Sequence, residues 1–181
     1  MTESELIASA RQGDMVSAHQ LLSQYQAPLW GFLLSLLRHH ADAEDALQET
    51  CLKALRGLAN YRERGQFKSW LFQIAYRESL NVRRRQQRRL PETEKPEATD
   101  QLPDLAPLAA EQLESAEARA RLQTCIDKLP EAEREVVLLR LQREIPFSEI
   151  AAITDTPLNT ILSRMHKATH RLRVMMTSLP A

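Results

Sequence analysis

Between Gly65 and Arg89 the chain places Phe67, Trp70, Phe72 and Tyr76 just ahead of Arg83, Arg84, Arg85, Arg88 and Arg89. Aromatic rings offer stacking faces to bases and guanidinium groups hold phosphate oxygens, so the adjacency points to nucleic acid. At helical spacing Arg77, Asn81, Arg84 and Arg88 share one polar face, while Phe67, Leu71 and Ile74 follow an apolar one. One side of such a helix packs and the other meets phosphates. A core helix with a solvated basic end accounts equally well for an isolated arginine cluster, and the rest of the chain must decide.

A second polar face lies towards the C-terminus. I-P-F-S-E-I-A-A-I, a break at Thr154-Asp155-Thr156, and P-L-N-T-I-L-S-R-M-H-K-A-T-H-R-L read as helix-turn-helix. Thr156 is expected to cap the second helix and Pro157 to take its first position. Leu158, Ile161, Met165, Ala168 and Leu172 recur at three- and four-residue steps and form an expected inward stripe. Asn159, Thr160, Ser163, Arg164, His166, Lys167 and Arg171 are left for solvent, a set able to bond base edges and phosphates of duplex DNA. A third stretch, D-A-E-D-A-L-Q-E-T over residues 42–50, sets Asp45, Gln48 and Glu49 on one outward acidic and amide face. It reads either as solvated surface or as a docking face for a basic partner. His166 and His170 are the one pair placed to share a metal, but neither the glutamate of H-E-x-x-H nor a third ligand accompanies them, so no metal, cofactor or enzyme activity is expected.

These faces must be carried by helices. The chain has 181 residues, 43% hydrophobic and 27% charged, with only 4 glycines and no alternating β-branched run, which predicts an all-α protein. Cys51 and Cys125 sit in apolar helical patterns and are expected as buried free thiols of a reducing cytosol. Met1–Glu5 lacks the basic and apolar regions of a leader, and no apolar run approaches the ~18 residues of a membrane span, which predicts a cytoplasmic protein with no membrane insertion.

The formal net charge of zero conceals a division along the chain. Residues 1–90 hold 13 Lys and Arg against 9 Asp and Glu, residues 91–118 hold 1 against 8, and residues 119–181 hold 10 against 7. With Pro91, Pro96, Pro103 and Pro107 in it, the acidic middle reads as a flexible linker, residues 90–116, between helical domains at 1–89 and 117–181. The 18 residues 90–107 span roughly 60 Å when extended at ~3.3 Å each. They serve either as a solvated tether or as a segment suited to a basic channel. Within the domains, helix is expected over residues 3–37 with a break at Gly13-Asp14 and a distortion at Pro28. Asp42 is the expected cap of the following helix, Leu108–Lys128 is expected as another, and Pro130 opens the next.

D-A-E-D-A-L-Q-E-T followed by F-K-S-W-L-F-Q-I-A and an arginine-rich helix end resembles region 2 of the extracytoplasmic-function class of bacterial sigma factors. The later pattern L-P-x-x-x-R-E-x-x-L-L, then S-E-I-A and P-x-x-T-x-x-S-R-x-H-x-A, resembles region 4 of the same class. The resemblance implies that Asp45, Leu47, Gln48, Glu49 and Thr50 dock on core RNA polymerase. It implies that Asn60, Tyr61, Arg62, Lys68, Arg77, Asn81, Arg84 and Arg85 read the minus-ten element as melted strand, with residues 60–67 as a pocket wall. Trp70 is assigned to core packing rather than to stacking on a base. Asn159, Thr160, Ser163, His166 and Lys167 would then meet bases of the minus-thirty-five element, and Arg164 and Arg171 its phosphates. Promoter DNA and an anti-sigma factor are the further expected partners. Four positions depart from the pattern: Leu162 where a basic residue is frequent, Arg77 where Asn is common, and Asp155 and Asn159 where Gly is common. Asp and Asn tolerate left-handed backbone, so the turn is expected to survive. The competing reading is a helix-turn-helix regulator that binds duplex DNA without polymerase; it leaves residues 42–50 and 61–85 without a purpose.

Overall fold

The computed structural model describes residues 1–89, 116–142 and 145–178, and every regular element among them is a helix. The chain divides into two compact units, Met1–Leu102 and Pro103–Ala181. The linker expected at 90–116 and the first part of the helix expected from Leu108 lie outside the described residues, apart from Ala116.

The first unit holds α1 (Glu3–Arg11), α2 (Met15–Leu37), α3 (His40–Leu58) and α4 (Phe67–Arg89). Side chains cap the starts of α1, α2 and α3, each accepting from one orphan amide. Thr2 and Glu5 form a reciprocal capping box on α1, with Glu5 N–H donating to Thr2 Oγ1 at 3.3 Å and Thr2 N–H donating to Glu5 Oε2 at 2.7 Å. Gly13, at φ 95°, makes the expected break, and Asp14 then caps α2 by accepting from Val16 N–H at 3.0 Å. Pro28 lies inside α2, which continues through it. The α2–α3 corner differs from expectation. Arg38 turns left-handed at φ 55°, and His39 rather than Asp42 is the cap of α3. Asp42 instead places its carboxylate 2.9 Å from His39 Nδ1.

The core of this unit is built by α2, α3 and α4 around Leu21, Leu29, Phe32 and Leu33, Ala43, Ala46 and Ala54, and Phe67, Leu71 and Phe72. The alanines on α3 allow its neighbours to approach, and Phe32 meets Phe72 edge to face with ring centroids 5.2 Å apart. Each buried Phe or Leu contributes roughly 1.5–3 kcal/mol against leaving it in water. Two residues of the arginine-rich end of α4 hold the corner in place. Arg83 Nη2 donates to the Leu36 carbonyl at 3.1 Å, satisfying an orphan acceptor at the end of α2, and Gln86 Nε2 donates to Asp42 Oδ2 at 2.6 Å.

The second unit holds α5 (Ala116–Asp127), α6 (Glu131–Leu141), α7 (Phe147–Thr154) and α8 (Leu158–Ser178), with α8 packed against the other three. Prolines stand at three of its helix starts. The carbonyls of Pro130, Pro146 and Pro157 accept from Arg134, Ile150 and Ile161 N–H at 2.9, 3.0 and 3.1 Å. Proline lacks the amide that a helix start leaves unpaired, and its fixed φ suits the position. Thr156 is therefore not the cap it was expected to be: its hydroxyl donates to the Thr154 carbonyl at 3.1 Å. Asp155 closes α7 in the left-handed region at φ 50°, its N–H donating to Ala151, so Asp serves where Gly would be easiest. Asn159 is an ordinary helical residue of α8.

Ile126, Leu139, Ile145, Ile150, Ile161 and Ala168 form the fully buried centre. Of the expected α8 stripe, Ile161 and Ala168 are buried, Met165 and Leu172 half-buried, and Leu158 exposed. Cys125 is buried as expected, whereas Cys51 is half-buried and both thiols are free. Burial pushes the Cys51 thiol above its ordinary pKa. Among the described residues no helix is long and apolar enough to cross a membrane.

Candidate nucleic-acid interface

The expected functional residues fall on three surfaces. On α3, Asp45, Gln48 and Glu49 are exposed and Leu47 is half-buried among them. Thr50 does not belong to that surface. It is wholly buried, one turn behind Ala46, and its hydroxyl donates to the Ala46 carbonyl at 2.6 Å. Its spacing from Ala43, Ala46 and Ala54 puts it on the packed face of the helix.

The second surface is a groove of about 590 Å³ between α3 and α4, lined by Lys53, Gly57, Trp70, Ile74, Arg77, Glu78, Leu80, Asn81 and Arg84. Steps of four and three residues along α4 bring Arg77, Asn81 and Arg84 to one wall, as the spacing predicts. Arg77 and Arg84 are exposed and form no ion pair among the described residues. Trp70 forms part of the apolar wall and stacks against Tyr61 and Phe67, at 4.9 and 5.5 Å between centroids. The packing assigned to Trp70 is present, and the half-buried indole edge also lines the groove. A glycine makes this possible: a Cβ on Gly57 would lie 2.8 Å from Trp70 Cζ2.

Tyr61 was expected to face DNA and is buried instead, 7% exposed, within the cluster of Tyr25, Phe67 and Trp70. Burial is the main cause that raises its phenol above the ordinary pKa, the nearby Glu63 carboxylate adds to it, and the amides of Gln66 and Arg64 oppose it. Its hydroxyl completes no well-aligned hydrogen bond to a protein group. The neighbours Asn60 and Arg62 are exposed, Arg85 is exposed, and Lys68 is half-buried.

Two charged lining residues escaped the sequence reading. Lys53 Nζ sits 2.6 Å from Glu78 Oε1, and the same carboxylate oxygen accepts from Asn81 Nδ2 at 3.3 Å. Glu78 is the sole acidic residue between Gly65 and Arg89, a signal that was available. Its partner Lys53 lies 25 residues away and was not readable from spacing.

The third surface is the outer face of α8. Asn159, Leu162, Ser163, His166 and Lys167 are exposed, and Thr160 and Arg164 half-buried. Arg171, expected at a phosphate, is exposed, with its Nε 3.1 Å from Glu133 Oε2, in charge contact though not aligned as a hydrogen bond. Arg140 braces the approach to α7, donating to the Ile145 carbonyl at 2.9 Å and lying 4.8 Å over the Phe147 ring.

A helical unit with a basic, aromatic-walled groove, joined in one chain to a helix-turn-helix unit, is the architecture of a DNA-binding protein. Comparison with known proteins is specific. Residues 21–89 match the family model of Sigma-70 region 2, and residues 119–172 match that of Sigma-70, region 4. The ECF RNA polymerase sigma-E factor of Haemophilus influenzae is 30% identical, over 93% of this chain and 92% of that one. Its namesake in Escherichia coli is 31% identical, over 93% and 91%. The chain belongs to the extracytoplasmic-function class of the sigma-70 family, the promoter-specificity subunits of bacterial RNA polymerase. The fold agrees. The structure of CnrH in complex with the cytosolic domain of CnrY matches at TM-score 0.66 and 20% identity, covering 97% of each chain. That of the sigma factor RpoE in complex with the anti-sigma factor NepR from Bartonella quintana matches at 0.66 and 23%, covering 90% of this chain and 98% of that one.

Proposed function

We propose that the chain works in the cytoplasm as the exchangeable subunit that docks on core RNA polymerase through α3, opens promoter DNA through the α3–α4 groove and holds the upstream duplex through α8. It carries no catalytic step of its own. The observation that bears most weight is the groove, where unpaired cationic side chains and an aromatic wall lie on one surface. Opening DNA costs stacking and pairing energy, which a protein recovers by holding exposed bases and strand phosphates. Asn60, Arg62, Lys68, Arg77, Asn81, Arg84 and Arg85 supply that holding surface for the minus-ten strand. Tyr61 acts from beneath it as packing. Asp45, Leu47, Gln48 and Glu49 supply the polymerase contact, where charge gives orientation more than affinity. Asn159, Thr160, Ser163, His166 and Lys167 meet bases of the minus-thirty-five element and Arg164 its phosphates, while Leu162 offers apolar contact such as a thymine methyl accepts. Control by an anti-sigma factor is supported by the structural relative that was solved with one.

Transcription reconstituted from purified core polymerase and this chain on selected genomic fragments is the test. Transcripts from a discrete promoter set, lost on reversing Asp45 and Glu49 to Lys, are expected. Transcription that never depends on the chain would overturn the assignment.

A further inference from the structure

The Lys53–Glu78–Asn81 network joins α3 to α4 at the wall of the groove. Glu78 is 4% exposed overall and stands in a groove whose other charged residues are Lys53, Arg77 and Arg84. A buried carboxylate left uncompensated would oppose both folding and an approaching phosphate chain. Lys53, with its side chain 44% exposed, lies 2.6 Å away and cancels that charge. The neutralised carboxylate is left with a second task. By accepting from Asn81 Nδ2 at 3.3 Å, it fixes which end of the amide is which. An untethered asparagine turns its amide over at little cost and accepts or donates as its ligand requires. An asparagine whose NH₂ is held by a carboxylate keeps its Oδ1 as the acceptor, and the Asn81 side chain makes no other hydrogen bond among the described residues.

We propose that Glu78 is a positioning residue for base selection. Through Lys53 and Asn81 it holds an acceptor at the groove wall, so that the groove prefers an unpaired base with an amino group at the purine 6 or pyrimidine 4 position, adenine or cytosine, over guanine and thymine, which carry a keto oxygen there. Arg77 and Arg84 on the same wall hold the flanking phosphates and carry no sequence information. Trp70, kept close to α3 by the bare Cα of Gly57, closes the apolar side. This inference rests on the proposed use of the groove for melted promoter strand, and adds to it a reason for selectivity within that strand.

The test uses the reconstituted holoenzyme on promoters pre-melted across the minus-ten element, with each unpaired base replaced in turn. Stability of the open complex is read for amino against keto bases at each position. One position is expected to show a preference of roughly tenfold, the size of a single hydrogen-bonding discrimination. Glu78→Gln keeps the side-chain shape but lets the amides of residues 78 and 81 exchange roles, and is expected to bring that preference close to onefold. Asn81→Ala should remove it as well, and the double variant should lose no more than either single one. Preference retained in Glu78→Gln, additive losses in the double variant, or a uniform weakening on every template would each overturn the positioning role. Failure of the wild-type holoenzyme to hold any pre-melted promoter would instead overturn the proposed function of the groove itself.

Discussion

The two units begin their helices and present their polar groups in opposite ways. In the first, polar side chains do the capping at Thr2, Asp14 and His39, and groove residues are bound to one another through Glu78. In the second, Pro130 and Pro146 open helices with no side-chain cap, and most of the polar residues on the outer face of α8 stand exposed. A duplex is itself stiff and presents fixed patterns in its groove, so its reader can adjust side chains to it. A melted strand is flexible, and its ordering entropy must be offset by a surface that is already ordered. The difference in side-chain organisation matches the difference in the DNA each unit is proposed to hold.

The strongest way to separate the units is to damage one core at a time. Phe72 and Ile161 are both 0% exposed. Phe72→Ala is expected to cost ~3–5 kcal/mol and Ile161→Ala ~2–5 kcal/mol, by lost burial and the cavity left behind. Urea titration with a probe in each unit should show each loss only where the substitution lies. Phe72→Ala should abolish polymerase docking and opening, whereas Ile161→Ala should keep docking and lose dependence on the upstream element. Loss of polymerase docking in Ile161→Ala would break this division of labour.

A smaller effect compares cations of the two surfaces. Arg77→Ala is expected to weaken promoter opening about tenfold, in line with ~1.5 kcal/mol for one charge-assisted contact, and to leave duplex binding nearly unchanged. The salt dependence of open-complex stability should become shallower by ~0.7, the value for one single-strand phosphate. Arg164→Ala should do the converse, reducing duplex binding with a slope change of ~0.9. Arg171→Ala should matter less than Arg164→Ala, because Glu133 already engages that guanidinium. Permanganate footprinting and gel shift read the two steps; equal losses in both assays for Arg77→Ala would reject the single-strand assignment.

The helical faces were legible because period alone defines them. Arg77, Asn81 and Arg84 reach one groove wall, and the α8 residues from Asn159 to Lys167 divide between core and solvent largely as their spacing requires. What escaped notice depends on contacts between distant segments. Thr50 shares a helix with Asp45 and Glu49 but lies on the alanine face, and its small hydroxyl is satisfied by the backbone. Tyr61 is polar at one end only, and it is buried against two aromatic neighbours, Phe67 and Trp70. Arg83 looks like its neighbours Arg84 and Arg85 until the end of α2, 47 residues earlier, supplies a carbonyl for it. The resemblance to sigma regions pointed to three surfaces, but assigned no role to residues such as Lys53 and Glu78 that carry this chain's own network.

The smallest expected effect tests the contrast in helix starts, and it is a matter of pH. Asp14 accepts first from the Ser17 hydroxyl and then from Val16 N–H, and these bonds hold its carboxyl below the ordinary aspartate range. Glu5 is likewise lowered, chiefly by the Thr2 N–H. A carboxyl whose pKa is lower in the folded chain adds stability that is fully present above its unfolded pKa and is lost as the pH falls through the folded one. The first unit should therefore loosen at the starts of α1 and α2 on acidification below the ordinary carboxylate range. The starts headed by Pro130 and Pro146 have no cap side chain to protonate. Amide exchange at Val16 and Ser17, corrected for its intrinsic pH dependence, should speed up in acid and do so even in high salt, which screens helix-dipole contributions. Asp14→Asn retains a capping oxygen that does not titrate, so it should remove the acid sensitivity at α2 while preserving the helix start. Equal acid sensitivity in Asp14→Asn would show that the cap is not its source, and the contrast between titrating and proline starts would then fail.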